Sequence, residues 1–136
     1  MKNIFIICCL FVGIVLSTSC VDGTTDSEDV KLITASEMQS ILELEEVQLV
    51  DVRTPKEHDE IHIANSQNID FMSPTFDDDI SKLDKKKHVI LYCKSGGRSA
   101  KCAKKMKDAG FEKIYDLDGG ISKWKHSDKL NIKVKP

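Results

Sequence analysis

Two short apolar runs constrain this chain most. Val47–Val52 (VQLVDV) and His88–Tyr92 (HVILY) are mostly aliphatic and β-branched. A strand of that composition is buried on both faces, as in a parallel sheet covered by helices. Each run leads into a helix opening. Thr54-Pro55 follows the first, with proline suited to the first helical position, and Ser99 onward follows the second. The pattern continues around them. Lys31–Ile33 reads as a short edge strand. Thr34-Ala-Ser-Glu37 fits a capping box and opens a helix to about Glu45. Ser66–Ile69 reads as a short strand, and Ser73-Pro74 opens a helix to about Leu83. The helix from Ser99 runs to about Ala109, where Gly110 ends it. Lys113–Leu117 is a strand, and Ile121–Lys125 is a helical turn carrying Trp124. Strands alternating with helices predict an α/β domain whose ligands bind beyond the C-terminal ends of its strands.

The first 20 residues follow a different logic. Lys2 precedes an uncharged run from Ile4 to Leu16, followed by Ser17, Thr18, Ser19 and Cys20. A membrane-spanning helix needs roughly 20 apolar residues, and this run is shorter. A basic start, a short apolar run and small residues describe a secretory signal. Cys20 directly after three small residues resembles a bacterial lipoprotein signal, in which that cysteine is acylated. The alternatives are a cleaved, soluble secretory signal and an uncleaved membrane anchor. Residues 1–19 are thus expected to be a signal peptide. Residues 20–29, a lipidated Cys20 followed by VDGTTDSED, are expected to form a flexible acidic tether. The chain is then expected in a bacterial cell envelope, anchored to a membrane and facing the periplasm or the surface.

Residues 30–136 form the folded domain, large enough for one hydrophobic core. The whole chain has 20 basic and 22 acidic residues, a net charge of −2. With Lys2 and the four tether acids set aside, 19 bases face 18 acids. That balance points away from nucleic acid as a partner. Only Cys93 and Cys102 of the five cysteines lie in this region, so there is no disulfide framework. A monomer is expected.

The segment from Val89 to Ser99 carries the chemistry. A strand delivers Cys93 to the loop Lys94-Ser95-Gly96-Gly97-Arg98, and Ser99 enters a helix. Glycines let backbone N–H groups converge on one point. The helix N-terminus, Arg98 and Lys94 add positive charge. All of this favours thiolate over thiol and the binding of a small anion. Tyrosine-phosphatase-like enzymes place five residues between cysteine and arginine, whereas four stand here. The shorter loop makes a tighter ring, suited to the outer sulfur of a persulfide rather than to a phosphate.

At this point the chain resembles a single-domain rhodanese, a sulfurtransferase. Asp51-Val-Arg53 with Glu57 matches the family's first signature. His62-Ile63 and Asn68-Ile69 match its second in degraded form. Cys93 to Arg98 is the six-residue active loop. Leu117-Asp-Gly-Gly-Ile121 with Trp124 matches its closing signature. The resemblance implies a rhodanese-like fold, with a central parallel five-stranded sheet flanked by helices on both faces. It also implies the activity. Cys93 attacks the outer sulfur of a donor such as thiosulfate, sulfite leaves, and a thiophilic acceptor (cyanide or a thiol) takes the sulfur from a Cys93 persulfide. Backbone N–H groups of Lys94 to Ser99 would stabilise that persulfide, and Arg98 would shape the loop or hold the anionic donor. Neither a metal nor an organic cofactor is called for.

Departures from the pattern stand at His58, where the family usually has an aromatic, and at Ile61 and Asn65, where it has glycines. Lys94 stands where many members carry arginine. Asp51, Arg53 and Glu57 are read as structural support, with Arg53 paired to Glu57 and Asp51 bonding loop backbone. Cys102 is read as helix core beside Ala103 and Met106, against a resolving thiol for Cys93. His58 and His62, four residues apart, are read as structural hydrogen-bonders and not as metal ligands. The competing functions are a non-catalytic or sulfur-carrying interaction module of the envelope and, more remotely, a phosphatase or arsenate reductase.

Overall fold

The computed structural model describes residues 30–136 apart from residue 45. The expected signal segment, Cys20 and the tether lie outside the described residues. In chain order the elements are β1 (Lys31–Ile33), α1 (Ala35–Leu44), β2 (Val47–Asp51), α2 (Pro55–Glu60), β3 (Ile61–Ile63), β4 (Gln67–Asn68), α3 (Phe76–Ser81), β5 (His88–Tyr92), α4 (Gly97–Asp108), β6 (Ile114–Leu117), α5 (Gly120–Trp124) and β7 (Ile132–Val134).

Five strands form one sheet in the order β1-β6-β5-β2-β4, and every pair in it is parallel. This is the expected rhodanese-like α/β architecture. The two apolar runs of the sequence, β2 and β5, lie side by side near its centre, with Asp51 opposite Tyr92. From β2 the chain steps outward to β4 and then returns across to β5. The direction of winding therefore reverses between β2 and β5, and a crevice opens at their C-terminal ends.

Side chains alternate across the sheet and separate the core in two. On one face Val50, Val52, Val89, Leu91 and Ile114 pack against Phe76 and Ile80 of α3 and Cys102, Ala103 and Met106 of α4. On the other, Leu49, Ile90, Tyr92 and Leu117 pack against Ala35 and Met38 of α1 and Ile121 of α5. Leu91, Ile90 and Met106 are fully buried. Truncating any one to alanine removes apolar area and leaves a cavity, a loss of about 2–5 kcal/mol.

Two differences from the sequence expectation have local causes. α3 begins at Phe76, not at Ser73. The Ser73 hydroxyl accepts from the Thr75 N–H, which holds Ser73–Thr75 as a turn. A second sheet, β3 paired antiparallel with β7, was not expected. It carries Ile61 and Ile132 against the α1 side of the core.

Candidate active site

Cys93 follows directly after β5 and is almost wholly buried. The loop after it turns back over the sulfur. The Gly96 N–H donates to Cys93 Sγ at 3.1 Å, and the Ser99 hydroxyl lies 3.4 Å from the same sulfur. Gly96 has φ +103°, a conformation that glycine adopts without strain. It aims that N–H inward and opens α4 at Gly97. The twelve-residue helix therefore points its positive end at the thiol. Burial pushes the Cys93 thiol up. Donation from the Ser99 hydroxyl and from the backbone N–H groups of Ser99, Gly96 and Ser95 outweighs burial and holds it below the ordinary thiol value.

The back of the loop is held by the closing signature. The Ile121 N–H donates to the Cys93 carbonyl at 2.9 Å and the Ser122 N–H to the Lys94 carbonyl at 3.0 Å. Those carbonyls face α5, which leaves the loop's N–H groups free to face the sulfur. Gly120 makes this approach possible. A Cβ there would stand 2.6 Å from the Cys93 carbonyl oxygen and from the Lys94 carbonyl carbon and oxygen. The Trp124 indole N–H donates to the Asp118 carbonyl and fixes the turn before α5.

Arg98 does not reach into the loop. Its guanidinium forms a two-pronged pair with Glu57, 2.7 Å at each oxygen. The same carboxylate completes the capping box of α2, accepting from the N–H of Thr54. Arg98 thus shapes the loop from outside by tying α4 to α2. Pairing with Arg98 holds the Glu57 carboxyl down to about 2.

The expected Arg53–Glu57 pair is replaced by another. Arg53 folds back on Asp51, with Nε to Oδ1 at 2.9 Å and Nη2 to Oδ2 at 2.6 Å. Both side chains are buried. Pro55 and the Thr54 cap turn α2 so that Glu57 faces Arg98, and a buried guanidinium needs its carboxylate alongside. Asp51 also accepts from the Arg53 N–H, in line with its expected backbone role. It contacts His58 Nδ1 at 2.9 Å. The His58 and His62 rings stack with centroids 4.2 Å apart, and His62 Nδ1 lies 2.8 Å from the His58 carbonyl.

Lys94 and Ser95 are exposed at the mouth. Lys94 lines a pocket of about 180 Å³ with Arg53, Glu57, Ile61, Ser122 and Lys125. Cys102 is fully buried, and burial pushes its thiol up to about 12. Such a thiol is inert, as expected of core.

The residues expected of the site that lie among the described ones, Cys93 to Ser99 with Asp51, Arg53 and Glu57, converge on the crevice between β2 and β5. Sequence reasoning missed Asp116. This carboxyl lies on β6 with 1% of its surface exposed. Its burial comes from the place of β6 inside a covered sheet, which leaves no solvent side for an aspartate.

The family model of the rhodanese-like domain matches residues 34–127. Thiosulfate sulfurtransferase GlpE of Coxiella burnetii is 30% identical over 95 residues, covering 70% of this chain and 87% of that protein. The probable adenylyltransferase/sulfurtransferase MoeZ of Mycobacterium tuberculosis is 40% identical over 76 residues, or 56% of this chain. That match spans only 19% of the mycobacterial protein. Among solved structures, a rhodanese-like domain protein from Staphylococcus aureus superposes with a TM-score of 0.65 at 30% identity, covering 79% of this chain and all of that one.

Proposed function

The chain belongs to the rhodanese-like family, and on that premise we propose that it is a sulfurtransferase working through a persulfide on Cys93. The observation that carries the proposal is the environment of the sulfur. It sits at a helix N-terminus, takes the Gly96 N–H, and is held below the ordinary thiol value despite burial. A thiolate so placed attacks the outer, electrophilic sulfur of a donor such as thiosulfate. The new bond joins Cys93 Sγ to that sulfur, the old S–S bond breaks, and its electron pair leaves with sulfite. The donated sulfur then lies among the N–H groups of the loop, which offset its charge. A thiol or cyanide attacks it in turn, and Cys93 departs as thiolate.

Three cations (Arg53, Lys94, Lys125) and two carboxylates (Glu57, Glu60) line the pocket beside the loop, and this balance of positive charge suits an anionic donor. Asp51, Arg53 and Glu57 serve as scaffold: the first two as a buried pair, the third as the tie between α2 and Arg98. The donor and acceptor enter one after the other, so double-displacement kinetics are expected. The test is thiocyanate formation from thiosulfate and cyanide. Turnover that is lost in Cys93→Ser supports the proposal. Turnover that survives in Cys93→Ser, or its absence in the folded protein with every sulfane donor, overturns it.

We also propose that the protein is exported and held to a membrane by a lipid on Cys20. The support is the sequence of residues 1–20 alone. Labelled fatty acid incorporated into the chain, and lost in Cys20→Ala, is the expected result.

A further inference from the structure

The pocket beside the loop carries a charge that transfer from thiosulfate leaves without a task. It lies at the C-terminal ends of β2 and β5, with Arg53 two residues past the one and Lys94 two past the other. α2 and α5 supply the remaining walls. Two of its charged side chains are already committed. Arg53 pairs with Asp51 and donates to the Ile61 carbonyl at 2.5 Å. Glu57 holds Arg98 and caps α2. Three charges remain: Glu60 at the end of α2, Lys94 in the loop, and Lys125 just past α5. All three are exposed, and among the described residues no hydrogen bond or ion pair takes up their side chains. Lys135 reaches Glu60 through its backbone, donating to the Glu60 carbonyl, and gives its ammonium to Asp59.

The two lysines suit an anion. Glu60 does not, because a carboxylate in an anion pocket repels the ligand. Thiosulfate and cyanide carry no positive group for it. We propose that Glu60 selects the sulfur acceptor, a small thiol that bears both an ammonium group and a carboxylate, as cysteine does. The ammonium pairs with Glu60 and the carboxylate with Lys94 and Lys125. The inference rests on Cys93 carrying the sulfur, and it names the acceptor of that same site. The pocket holds about 180 Å³, less than the ~300–1,000 Å³ of sites for drug-sized ligands. It therefore suits a molecule of amino-acid size.

The site offers such a thiol a short path to the sulfur. Lys94 follows Cys93 directly, and the α5 wall of the pocket holds the carbonyls of both residues through the N–H groups of Ile121 and Ser122. The acceptor loses its thiol proton to water and attacks as thiolate. Its sulfur bonds to the outer sulfur of the Cys93 persulfide. The S–S bond to Cys93 breaks, and Cys93 keeps the electron pair and leaves as thiolate. The acceptor departs as its own persulfide. One sulfur atom changes hands, and no outside oxidant or reductant is needed. Glu60 touches the acceptor's ammonium and not the reacting sulfurs, so it sets specificity.

The test loads Cys93 with sulfur, removes small molecules, and follows loss of that sulfur by mass spectrometry as an acceptor is added. Three acceptors are used: cysteine, mercaptoethylamine (no carboxylate) and mercaptopropionate (no ammonium). Each variant is compared with the unaltered chain on the same acceptor, so the intrinsic reactivity of each thiol cancels. Glu60→Gln is expected to slow cysteine and mercaptoethylamine about tenfold and not to slow mercaptopropionate. Glu60→Asp, which keeps the charge, is expected to recover most of the rate. Lys94→Ala combined with Lys125→Ala is expected to slow cysteine and mercaptopropionate and to spare mercaptoethylamine. A structural fault would slow all three acceptors alike. Glu60→Gln slowing all three equally, or slowing none, overturns the proposal. So does an undiminished rate with cysteine in the double lysine variant. A chain that loads no sulfur from any donor overturns the sulfurtransferase reading itself, whereas a loaded chain with either of those results overturns only the acceptor.

Discussion

Glu57 and Arg98, 41 residues apart in sequence, close a two-pronged ion pair that locks the helix after the active loop to the helix after β2. The Glu57 carboxyl sits at about 2 in the fold against an ordinary 4.5. Its folded value is depressed, so the pair contributes fully above about pH 4.5 and is lost as pH falls toward 2. Both partners are partly exposed, and solvent screening reduces the effect. Glu57→Gln is expected to cost about 1–2 kcal/mol at neutral pH. The difference from the unaltered protein should vanish in urea unfolding at low pH.

Gly120 lies where α5 touches the active loop. Gly120→Ala places a methyl 2.6 Å from the Cys93 carbonyl oxygen, in a backbone conformation that alanine resists. Backbone on both sides must move. A loss of more than about 2 kcal/mol is expected, and Cys93 alkylation should lose its enhanced rate at neutral pH. Gly119→Ala meets the Lys123 side chain rather than the active loop, at 2.5 Å from Cδ and 3.0 Å from Cβ. It should cost about 1–2 kcal/mol from strain at φ +74° and spare the thiol.

Asp51 and Arg53 form a buried pair, and removing one member strands the other charge away from water. Asp51→Ala is expected to destabilise the fold by about 3–5 kcal/mol. Turnover per folded molecule should change little, because the sulfur takes its hydrogen bonds from Gly96 and Ser99 and not from this pair. Denaturant midpoints set beside rates measured well below the transition separate the two effects.

Lys94 is exposed at the mouth of the pocket. Lys94→Ala removes a charge-assisted contact to an anionic donor, so KM for thiosulfate should rise roughly tenfold with little change in kcat. Lys94→Arg should preserve most of the affinity. Steady-state kinetics at fixed ionic strength check both.

The parts read most directly from sequence were those where pattern and burial coincide. β2 and β5 are covered on both faces, so their composition announces them. Cys93 to Ser99 carries its own geometry, because the glycines and the helix start leave the chain few ways to turn. β3 and β7 gave no such signal. Each is three residues long with at most one buried, and the pairing joins Ile61 to Val134 across most of the domain. Arg53 was assigned the wrong partner because helical spacing looks along one element. The choice between Asp51 and Glu57 depends on how the Thr54 cap aims α2. The departures at Ile61 and Asn65 have simple readings in the fold. Ile61 is extended at φ −158°, where no glycine is needed. Asn65 holds φ +65°, a left-handed position that asparagine tolerates. Asp116 escaped notice because its burial comes from α4 and the neighbouring strands, not from its own segment.

Intact-protein mass spectrometry tests the central claim most directly. The chain is reduced, incubated with thiosulfate, freed of small molecules and weighed. The account predicts a gain of one sulfur atom, removed by cyanide and absent in Cys93→Ala. A folded protein with a free Cys93 thiol that gains no sulfur from thiosulfate or any other sulfane donor would contradict it.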